Sequence, residues 1–371
     1  MSSPALRSPL QLTKRHYLAL LGVVIISCSF VIFYLSTQEF LPESVTIPHV
    51  SEYLPSFSGN ITKTEAPKYA FATFLSTRIE DDMTIEDDVY FTAARVLIYQ
   101  LLYHPRTRTR HNIPFIIIVP PHVSALKRGI LSSEGATVIE FPLLNPTNWT
   151  ARPDEPRWID QFTKLHLFNL TEYDRVLYLD TDMLLTRPLD SIFSEEIVHN
   201  PQSTANNAQT IEQQEGVLPE TYVLAGTEDK GGPGSIRPAE HTPDAQMNGG
   251  FWCMQPSTTL FNYYITLLQL GNFDSSNMEM GLLNYAHRAN GPMPWKGLPA
   301  GKWSSNWPTL RDAEFGSATL HDKFWDSGNK DWIDRELVEM WWRMQGQMEG
   351  YWLQHRKIYD LKRRNVFETI Y

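Results

Sequence analysis

Cysteine is nearly absent from this sequence, which contains only Cys28 and Cys253. Two cysteines cannot build a disulfide framework, and no spacing typical of a zinc site occurs. The sequence also lacks the glycine-rich loops of the Gly-x-Gly-x-x-Gly and Walker types and the Gly-x-Ser-x-Gly nucleophile elbow. These absences argue against a disulfide scaffold, a dinucleotide-binding enzyme and a serine hydrolase.

Positive charge is scarce as well. The 371 residues include 32 basic and 42 acidic side chains, a formal net charge of −10. Three of the basic residues and none of the acidic ones lie in residues 1–36, so the remainder is more acidic still. Nucleic-acid binding needs clustered Lys and Arg, and the composition therefore argues against such a partner. Hydrophobic residues make up 42%, enough for a sizeable core.

Charged residues are missing from residues 17–35, a run of 19 that is close to the length of a membrane-spanning helix. Lys14 and Arg15 precede the run, whereas Glu39 and Glu43 follow it. The positive-inside rule predicts a cytosolic tail over residues 1–16 and a lumenal body. A cleaved signal peptide is the alternative, but its apolar region is usually shorter. We therefore expect contact with a lipid bilayer through residues 17–35 as a single-pass type II anchor.

Residues 36–66 lack periodicity and are rich in Ser and Pro, which predicts a stem between the membrane and the globular part. Three Asn-x-Ser/Thr sequons, at Asn60, Asn148 and Asn169, favour a lumenal location and a glycoprotein. Asn60 is the most credible of them, and the Asn169 sequon falls within a helical pattern. A Golgi membrane, or another membrane of the secretory pathway, is the expected location.

From residue 67 onward, short apolar runs alternate with segments of helical periodicity, which predicts an α/β fold with a largely parallel sheet. The expected strands cover residues 69–75, 114–120, 137–141, 175–180 and 247–254. The expected helices cover residues 88–103, 124–132, 159–169, 258–270 and 332–355. Residues 199–245 break this rhythm and read as a surface insertion within a catalytic domain over 67–330, followed by a helical extension over 331–371.

The most specific motif is Asp180-Thr-Asp182, which directly follows the apolar run 176–179. Side chains two residues apart in an extended segment project to the same side. The two carboxylates should therefore lie together at the carboxyl edge of the sheet, where open α/β folds bind ligands. Paired hard oxygen ligands suit Mn²⁺ or Mg²⁺ together with substrate phosphates. A helix-capping Asp beside a solvated Asp is the structural alternative.

Several segments taken in order resemble the family 8 glycosyltransferases, the glycogenin-like enzymes of the GT-A fold. The resemblance spans about residues 69–326 and rests on the segments FTKLHLF (162–168), LTEYDRVLYLDTDM (170–183), NGGF (248–251), GLLN (281–284) and Leu320-His321. It implies a single GT-A domain after one transmembrane helix, as in a fungal-type Golgi type II membrane enzyme.

The resemblance also implies a set of site residues. Asp180 and Asp182 would bind the metal with His321 as the third ligand, and an imidazole beside two carboxylates favours Mn²⁺. A structural histidine is the alternative reading of His321. The remaining implied contacts are to the UDP-sugar donor and its diphosphate, from Thr73, Tyr90, Lys164, Asn248, Gly250 and Lys323. A solvated helix lysine is the alternative reading of Lys164. Lys323 also fits an ordinary surface lysine, because the family's Gly-x-x-Lys-Pro-Trp spacing is compressed here to HDKFW (321–325).

The chain departs from the family where the latter has an Asp-Gln pair, since the alignment places Glu279 and Met280 there. Methionine cannot act as a nucleophile, so a double displacement through this residue is excluded by the alignment. Glu279 could orient sugar hydroxyls as part of the catalytic set with Asp180 and Asp182. A front-face retaining transfer follows as a hypothesis, in which the departing diphosphate oxygen accepts the proton of the acceptor.

The resulting prediction is a metal-dependent retaining hexosyltransferase that moves a hexose or N-acetylhexosamine from a UDP-sugar to a glycan or glycoprotein acceptor. The alternative is a catalytically silent relative that binds glycans or organises other transferases. Met280 favours the alternative, whereas the presence of both aspartates and the histidine favours the enzyme. A phosphoester hydrolase would need more inward carboxylates or histidines than the sequence offers.

Overall fold

A computed structural model describes residues 67–76, 85, 87–153, 156–205, 215–232, 245–329 and 331–355. The predicted cytosolic tail, membrane segment 17–35 and stem 36–66 lie outside the described residues. Within the described part, no helix combines the length and apolar character needed to cross a membrane.

A seven-stranded mixed sheet forms the centre of the fold. The strands of the described residues are β1 (Tyr69–Phe74), β2 (Phe115–Val119), β3 (Thr137–Glu140), β4 (Arg175–Leu179), β5 (Met183–Leu185), β6 (Gln202–Ser203), β7 (Thr221–Tyr222), β8 (Leu224–Glu228), β9 (Met247–Met254), β10 (Lys296–Gly297), β11 (Ser304–Asn306) and β12 (Thr319–His321). The central sheet has the order β10-β8-β9-β4-β1-β2-β3. Four of its six neighbouring pairs are parallel, and β9 runs antiparallel to both β4 and β8. The predicted α/β class with a mostly parallel sheet is therefore confirmed.

Helices cover both faces of this sheet, which explains why the central strands are apolar on both sides. Every residue of β2 (FIIIV) and β4 (RVLYL) is buried, as expected for parallel strands between two helical layers. The helices are α1 (Val89–Leu102), α2 (Ala125–Ser133), α3 (Glu196–His199), α4 (Thr258–Leu270), α5 (Met278–Ala286), α6 (Leu310–Glu314) and α7 (Arg335–Gln354).

Local capping fixes where two of these helices begin and end. The Asp88 side chain accepts a hydrogen bond from the Phe91 amide at 2.9 Å and caps α1, and Ser257 caps α4 in the same way. Helix α4 ends at Gly271, whose φ of 72° lies in the left-handed region that glycine adopts without strain.

A second sheet, β11-β12-β5, lies beside the carboxyl end of β4. Strand β12 pairs antiparallel with β5, which places His321 opposite Met183. Strand β11 pairs parallel with β12, which places Asn306 opposite His321. This ladder carries residues from the far end of the chain to the segment that follows β4.

Two expectations differ from the structure. The predicted helix over residues 159–169 is a 3₁₀ helix over Pro156–Asn169. Residues 221–228, expected within a surface insertion, form β7 and β8, and β8 is a buried strand of the central sheet. The polar flanks of this segment concealed a strand of five residues, LAGTE, too short to establish a clear period.

The C-terminal helix predicted over residues 332–355 is confirmed as α7, and it packs on α1. Leu337, Trp341, Met348 and Trp352 of α7 join the same buried cluster as Ala93 and other residues of α1. Residues 356–371 lie outside the described part of the chain.

Candidate metal and ligand site

A cavity of about 390 Å³ opens at the carboxyl ends of β1, β4 and β8. Its volume falls in the usual range for small-molecule sites. Strand β9 runs antiparallel to β4, so its first residues reach the same edge. The cavity is therefore lined by the segments after β1, β4 and β8, by the start of β9 and by the ends of β11 and β12.

Two carboxylates and one imidazole converge in this cavity, because Asp180 and Asp182 follow β4 and His321 ends β12. The Nε2 atom of His321 lies 3.0 Å from Oδ1 of Asp182 and 3.7 Å from Oδ2 of Asp180. Ligand atoms of the three residues all lie within 4.8 Å of one another. The predicted trio of metal ligands is thus brought together from segments 141 residues apart.

Each of the two aspartate carboxylates accepts a hydrogen bond from a lysine. Lys164 donates to Oδ1 of Asp180 at 3.0 Å, and Lys323 donates to Oδ2 of Asp182 at 3.1 Å. The other oxygen of each aspartate is the one nearest His321. Each lysine therefore orients its carboxylate and leaves one oxygen directed at the imidazole, as the outer partners of metal ligands commonly do.

The lysine and histidine charges also set the protonation of Asp182. Burial alone would raise the pKa of Asp182, but the charges of Lys323 and His321 outweigh it and hold this pKa well below the usual range. The Tyr178 hydroxyl donates a short hydrogen bond to Asp180. Burial and the Asp180 charge raise the pKa of Tyr178 well above its ordinary value, so it remains a donor.

Glu279 lies in the first turn of α5, lines the cavity and forms a buried ion pair. Lys164 Nζ lies 2.7 Å from Oε1 of Glu279, and both side chains are less than 5% exposed. Burial raises the pKa of Glu279, and the charge of Lys164 only partly offsets this. Burial lowers the pKa of Lys164, but the charges of Asp180 and Glu279 raise it by more. The pKa of Lys164 therefore lies above its usual value. Lys164 is thus a buried cation shared by two carboxylates, and not the solvated helix lysine of the alternative reading.

Gly250 allows the metal trio to approach the backbone. A Cβ atom there would lie 2.4 Å from Cε1 of His321 and 2.8 Å from Oδ2 of Asp180. The Asp180 amide donates to the Gly250 carbonyl at 2.9 Å, and the Gly250 amide donates to the Asn248 side chain at 2.9 Å. The predicted Asn248 and Gly250 thus shape the cavity wall directly beside the carboxylates.

Unsatisfied polar atoms indicate that this trio can accept a cation. Nδ1 of His321 is buried and has no hydrogen-bond partner among the described residues, and the buried Oδ1 of Asp182 makes no hydrogen bond of normal geometry there, although Nε2 of His321 lies 3.0 Å from it. Buried polar atoms without partners are rare in folded proteins. Two carboxylates and an imidazole form a donor set that suits a divalent ion such as Mn²⁺, so the residues present fit the predicted metal.

Of the predicted contact residues Tyr90 and Thr73, Tyr90 lines the cavity and Thr73 does not. Tyr90, at the start of α1, lines the cavity, and its ring meets the Trp325 ring edge-on with centroids 5.3 Å apart. Thr73 does not line the cavity: it lies within β1 and is fully buried. The residues of this region that line the cavity are Phe74, which ends β1, and Leu75 and Ser76, which follow it. Thr73 is displaced because β1 continues one residue beyond it, so that the carboxyl end of the strand lies further along the chain.

Sequence reasoning missed several cavity residues, above all Trp158, Asp229, Asn306 and Trp307. They lie in the 3₁₀ helix or at strand ends, where no periodic pattern marks them. A sequence signal for Asp229 existed, since an Asp directly after a strand at the carboxyl edge of a sheet is a candidate ligand residue. Residues 221–228 were not predicted as a strand, and the signal was lost with them.

Comparison with known proteins gives partial similarity. No family model matches the chain. An uncharacterized protein of Schizosaccharomyces pombe is 26% identical over 321 residues, which cover 78% of this chain and 82% of that protein. Human glycogenin-2 is 33% identical over 109 residues, 29% of this chain and 21% of glycogenin-2. The galactosyltransferase LgtC, solved with donor and acceptor sugar analogs, has a TM-score of 0.45 at 15% identity and covers 75% of this chain and 95% of its own.

Proposed function

We propose that this protein is a metal-dependent retaining glycosyltransferase that moves a hexose or N-acetylhexosamine from a UDP-sugar to a glycan or glycoprotein acceptor. The observation that carries the proposal is the convergence of Asp180, Asp182 and His321 in a cavity at the carboxyl edge of the sheet. The weak similarity to glycogenin-2 supports the same class of transferase.

Asp180, Asp182 and His321 would hold the divalent ion, which we propose to be Mn²⁺ or Mg²⁺. A bound divalent ion would neutralise the negative charge that develops on a departing diphosphate. Lys323 keeps Asp182 ionised and oriented through its 3.1 Å contact. Its ammonium group lines the cavity and adds positive charge where we place the diphosphate.

Lys164 and Glu279 position the donor sugar in this proposal. Oε2 of Glu279 is buried and has no hydrogen-bond partner in the described part of the chain, although Oε1 is held by Lys164. A free carboxylate oxygen in the cavity wall is suited to accept a hydrogen bond from a sugar hydroxyl. Tyr90, Leu75 and Ser76 line the β1 side of the cavity, where we place the uracil.

The transfer proceeds on one face of the sugar in this proposal. Met280 lines the cavity beside Glu279 and offers no nucleophile, and Glu279 is engaged by Lys164. The bond from the anomeric carbon to the diphosphate oxygen breaks as the bond to the acceptor oxygen forms. The acceptor proton passes to the departing diphosphate oxygen, so the anomeric configuration is retained and the protein contributes positioning and charge stabilisation.

We further propose that the protein is a single-pass type II protein of the Golgi membrane or another secretory-pathway membrane, with its catalytic domain in the lumen. The proposal rests on the uncharged run 17–35, its basic flank and the sequons. Asn148 and Asn169 are both exposed, and Asn169 accepts a hydrogen bond from Thr258 at 2.8 Å. Removal of N-glycans from the protein should reduce its apparent mass, and an unchanged mass would argue against a lumenal body.

The test of function is a screen of UDP-glucose, UDP-galactose and UDP-N-acetylglucosamine with the full chain. We expect one of them to release UDP when Mn²⁺ is present and to be stable when EDTA removes the metal. Release that persists in EDTA contradicts the metal assignment. No release from any UDP-sugar, together with metal-independent binding of glycans, would instead favour the catalytically silent relative.

A further inference from the structure

Trp307 has an unusual backbone conformation in the cavity wall. It follows β11 directly and has a φ of 51°, which is uncommon for a bulky residue. Only three non-glycine residues in the described ranges have a positive φ, and two of them, Met278 and Trp307, line this cavity. Such conformations are strained and cluster at binding and active sites. The Trp307 amide donates to the His321 carbonyl at 3.2 Å, which ties its position to the metal trio.

An aromatic and polar wall surrounds Trp307. Its ring meets the ring of Trp332 at a centroid distance of 6.0 Å, and Trp332 is 44% exposed. The preceding residue, Asn306, donates from its side-chain amide to Oδ1 of Asp229 at 2.6 Å, and both residues line the cavity. The wall thus combines an indole face with a carboxylate and an amide.

The wall around Trp307 lies on the side of the cavity opposite to the one where we place the UDP-sugar. Asp180 follows β4, which lies between β1 on one side and β9 and β8 on the other. Leu75, Ser76 and Tyr90 line the cavity on the β1 side. Asp229 follows β8, and Asn306 is bonded to it, so Trp307 lies on the opposite side of the carboxylate pair. With the nucleotide on the β1 side, the β8 side is open to the second substrate.

We propose that Trp307, supported by Trp332, stacks against a sugar ring of the acceptor, so that the second substrate is a saccharide. This inference rests on the proposed function and narrows its acceptor to a glycan. A pyranose presents C–H groups on its ring face and hydroxyls at its edge. The C–H face matches an indole surface, and the hydroxyls match the Asp229 carboxylate and the Asn306 amide.

The test measures substrate dependence with the full chain, using the UDP-sugar that releases UDP most readily. Lactose, maltose, chitobiose and mannobiose serve as probes, and the saccharide that most accelerates UDP release gives the acceptor KM. We expect Trp307→Ala to raise this KM about tenfold, with a KM for the UDP-sugar within about twofold of the wild type. Trp307→Phe, which keeps an aromatic face, should recover most of the affinity.

Two further variants complete the design. Trp332→Ala removes an exposed side chain and should raise the acceptor KM about threefold, which provides a readout even where Trp307→Ala does not fold. Trp342→Ala is the matched control, because Trp342 is 49% exposed on α7 and does not line the cavity. Its acceptor KM should equal that of the wild type.

The results that would overturn the acceptor inference differ from those that would overturn the proposed function. An unchanged acceptor KM in both Trp307→Ala and Trp332→Ala overturns the inference, as does a rise in the UDP-sugar KM alone. UDP release that no saccharide accelerates also overturns it, while the proposed function stands. Absence of UDP release from every donor overturns the proposed function and this inference together.

Discussion

Two buried polar networks in this protein differ in how completely their atoms are paired. The first, the cavity network, consists of Lys164, Asp180, Asp182, Glu279, His321 and Lys323. The second, the helix network, lies around α4 and α5 and consists of Glu215, Tyr263, Tyr264, Tyr285 and His287. In the cavity network, Oε2 of Glu279 and Nδ1 of His321 have no hydrogen-bond partner among the described residues.

The helix network is fully paired by comparison. His287 Nδ1 lies 2.6 Å from the Met293 carbonyl, and its Nε2 lies 2.6 Å from the Tyr264 hydroxyl. Because a carbonyl only accepts, Nδ1 carries the proton and Nε2 accepts from Tyr264. Each oxygen of Glu215 accepts from one tyrosine, Tyr263 or Tyr285. A satisfied network stabilises the fold, whereas unsatisfied buried atoms cost stability and indicate a site built for a ligand.

The largest expected effect comes from Asp182→Asn in the cavity network. The variant loses a charged oxygen of the metal trio, so Mn²⁺-dependent UDP release should fall between about a hundredfold and a thousandfold. Thermal unfolding should show that the variant still folds. Glu172→Gln, which removes an exposed carboxylate away from the cavity, is the control and should retain wild-type release. Normal release by Asp182→Asn would refute the role of the carboxylate pair.

The next effect is a pH dependence of stability from the helix network. Burial lowers the pKa of His287 to about 4. The unfolded chain binds a proton at this ring below about pH 6.5, so the folded state loses stability as the pH falls from 6.5 to 4. The loss should amount to about 3 kcal/mol in the free energy of unfolding and should be absent above pH 6.5.

The measurement is urea unfolding at a series of pH values for the wild type and His287→Asn. Asparagine keeps an N–H donor for the Met293 carbonyl and does not titrate, so this variant should lack the His287 part of the pH dependence. If the free energy of unfolding changed with pH by the same amount in both proteins, the prediction that His287 is buried in its neutral form would be wrong.

Gly250→Ala tests how closely the cavity network packs on β9. Its Cβ would overlap His321 and Asp180 and would displace both. We expect Mn²⁺ affinity to fall about tenfold to a hundredfold, because small displacements of metal ligands have effects of this size. Gly346→Ala, on α7 with open space around it, is the matched control. Equal Mn²⁺ affinity in the two variants would contradict the close packing of the site.

The smallest effect is expected for Tyr264→Phe in the helix network. The change leaves Nε2 of His287 buried and unpaired, which should lower the free energy of unfolding by about 1–2 kcal/mol in urea titrations at pH 7. UDP release at 25 °C should be unaffected, because Tyr264 does not line the cavity. Tyr263→Phe, which removes a longer 3.3 Å hydrogen bond, should cost less. A larger cost for Tyr263→Phe would reverse this ranking.

Local pattern predicted the strand β4, which directly precedes the first two proposed metal ligands, Asp180 and Asp182. The apolar run before Asp180 and the period of two in extended chains fixed both the strand and the common side of the two carboxylates, and β4 confirms the strand. The helices α1 and α4 were found for the same reason, since their apolar spacing and caps are local. Strand β8 was missed because five residues with a glycine carry little periodic signal.

The sequence by itself determined five strands of the central sheet, β1, β2, β3, β4 and β9, and it placed Asp180 and Asp182 side by side. Only the tertiary structure decided that Lys164 would bridge Asp180 and Glu279, and that Trp307 would stand beside the His321 backbone. Periodicity acts between residues a few positions apart, whereas strand order pairs segments more than a hundred residues apart. That pairing depends on which buried surfaces fit together, and no local pattern encodes it.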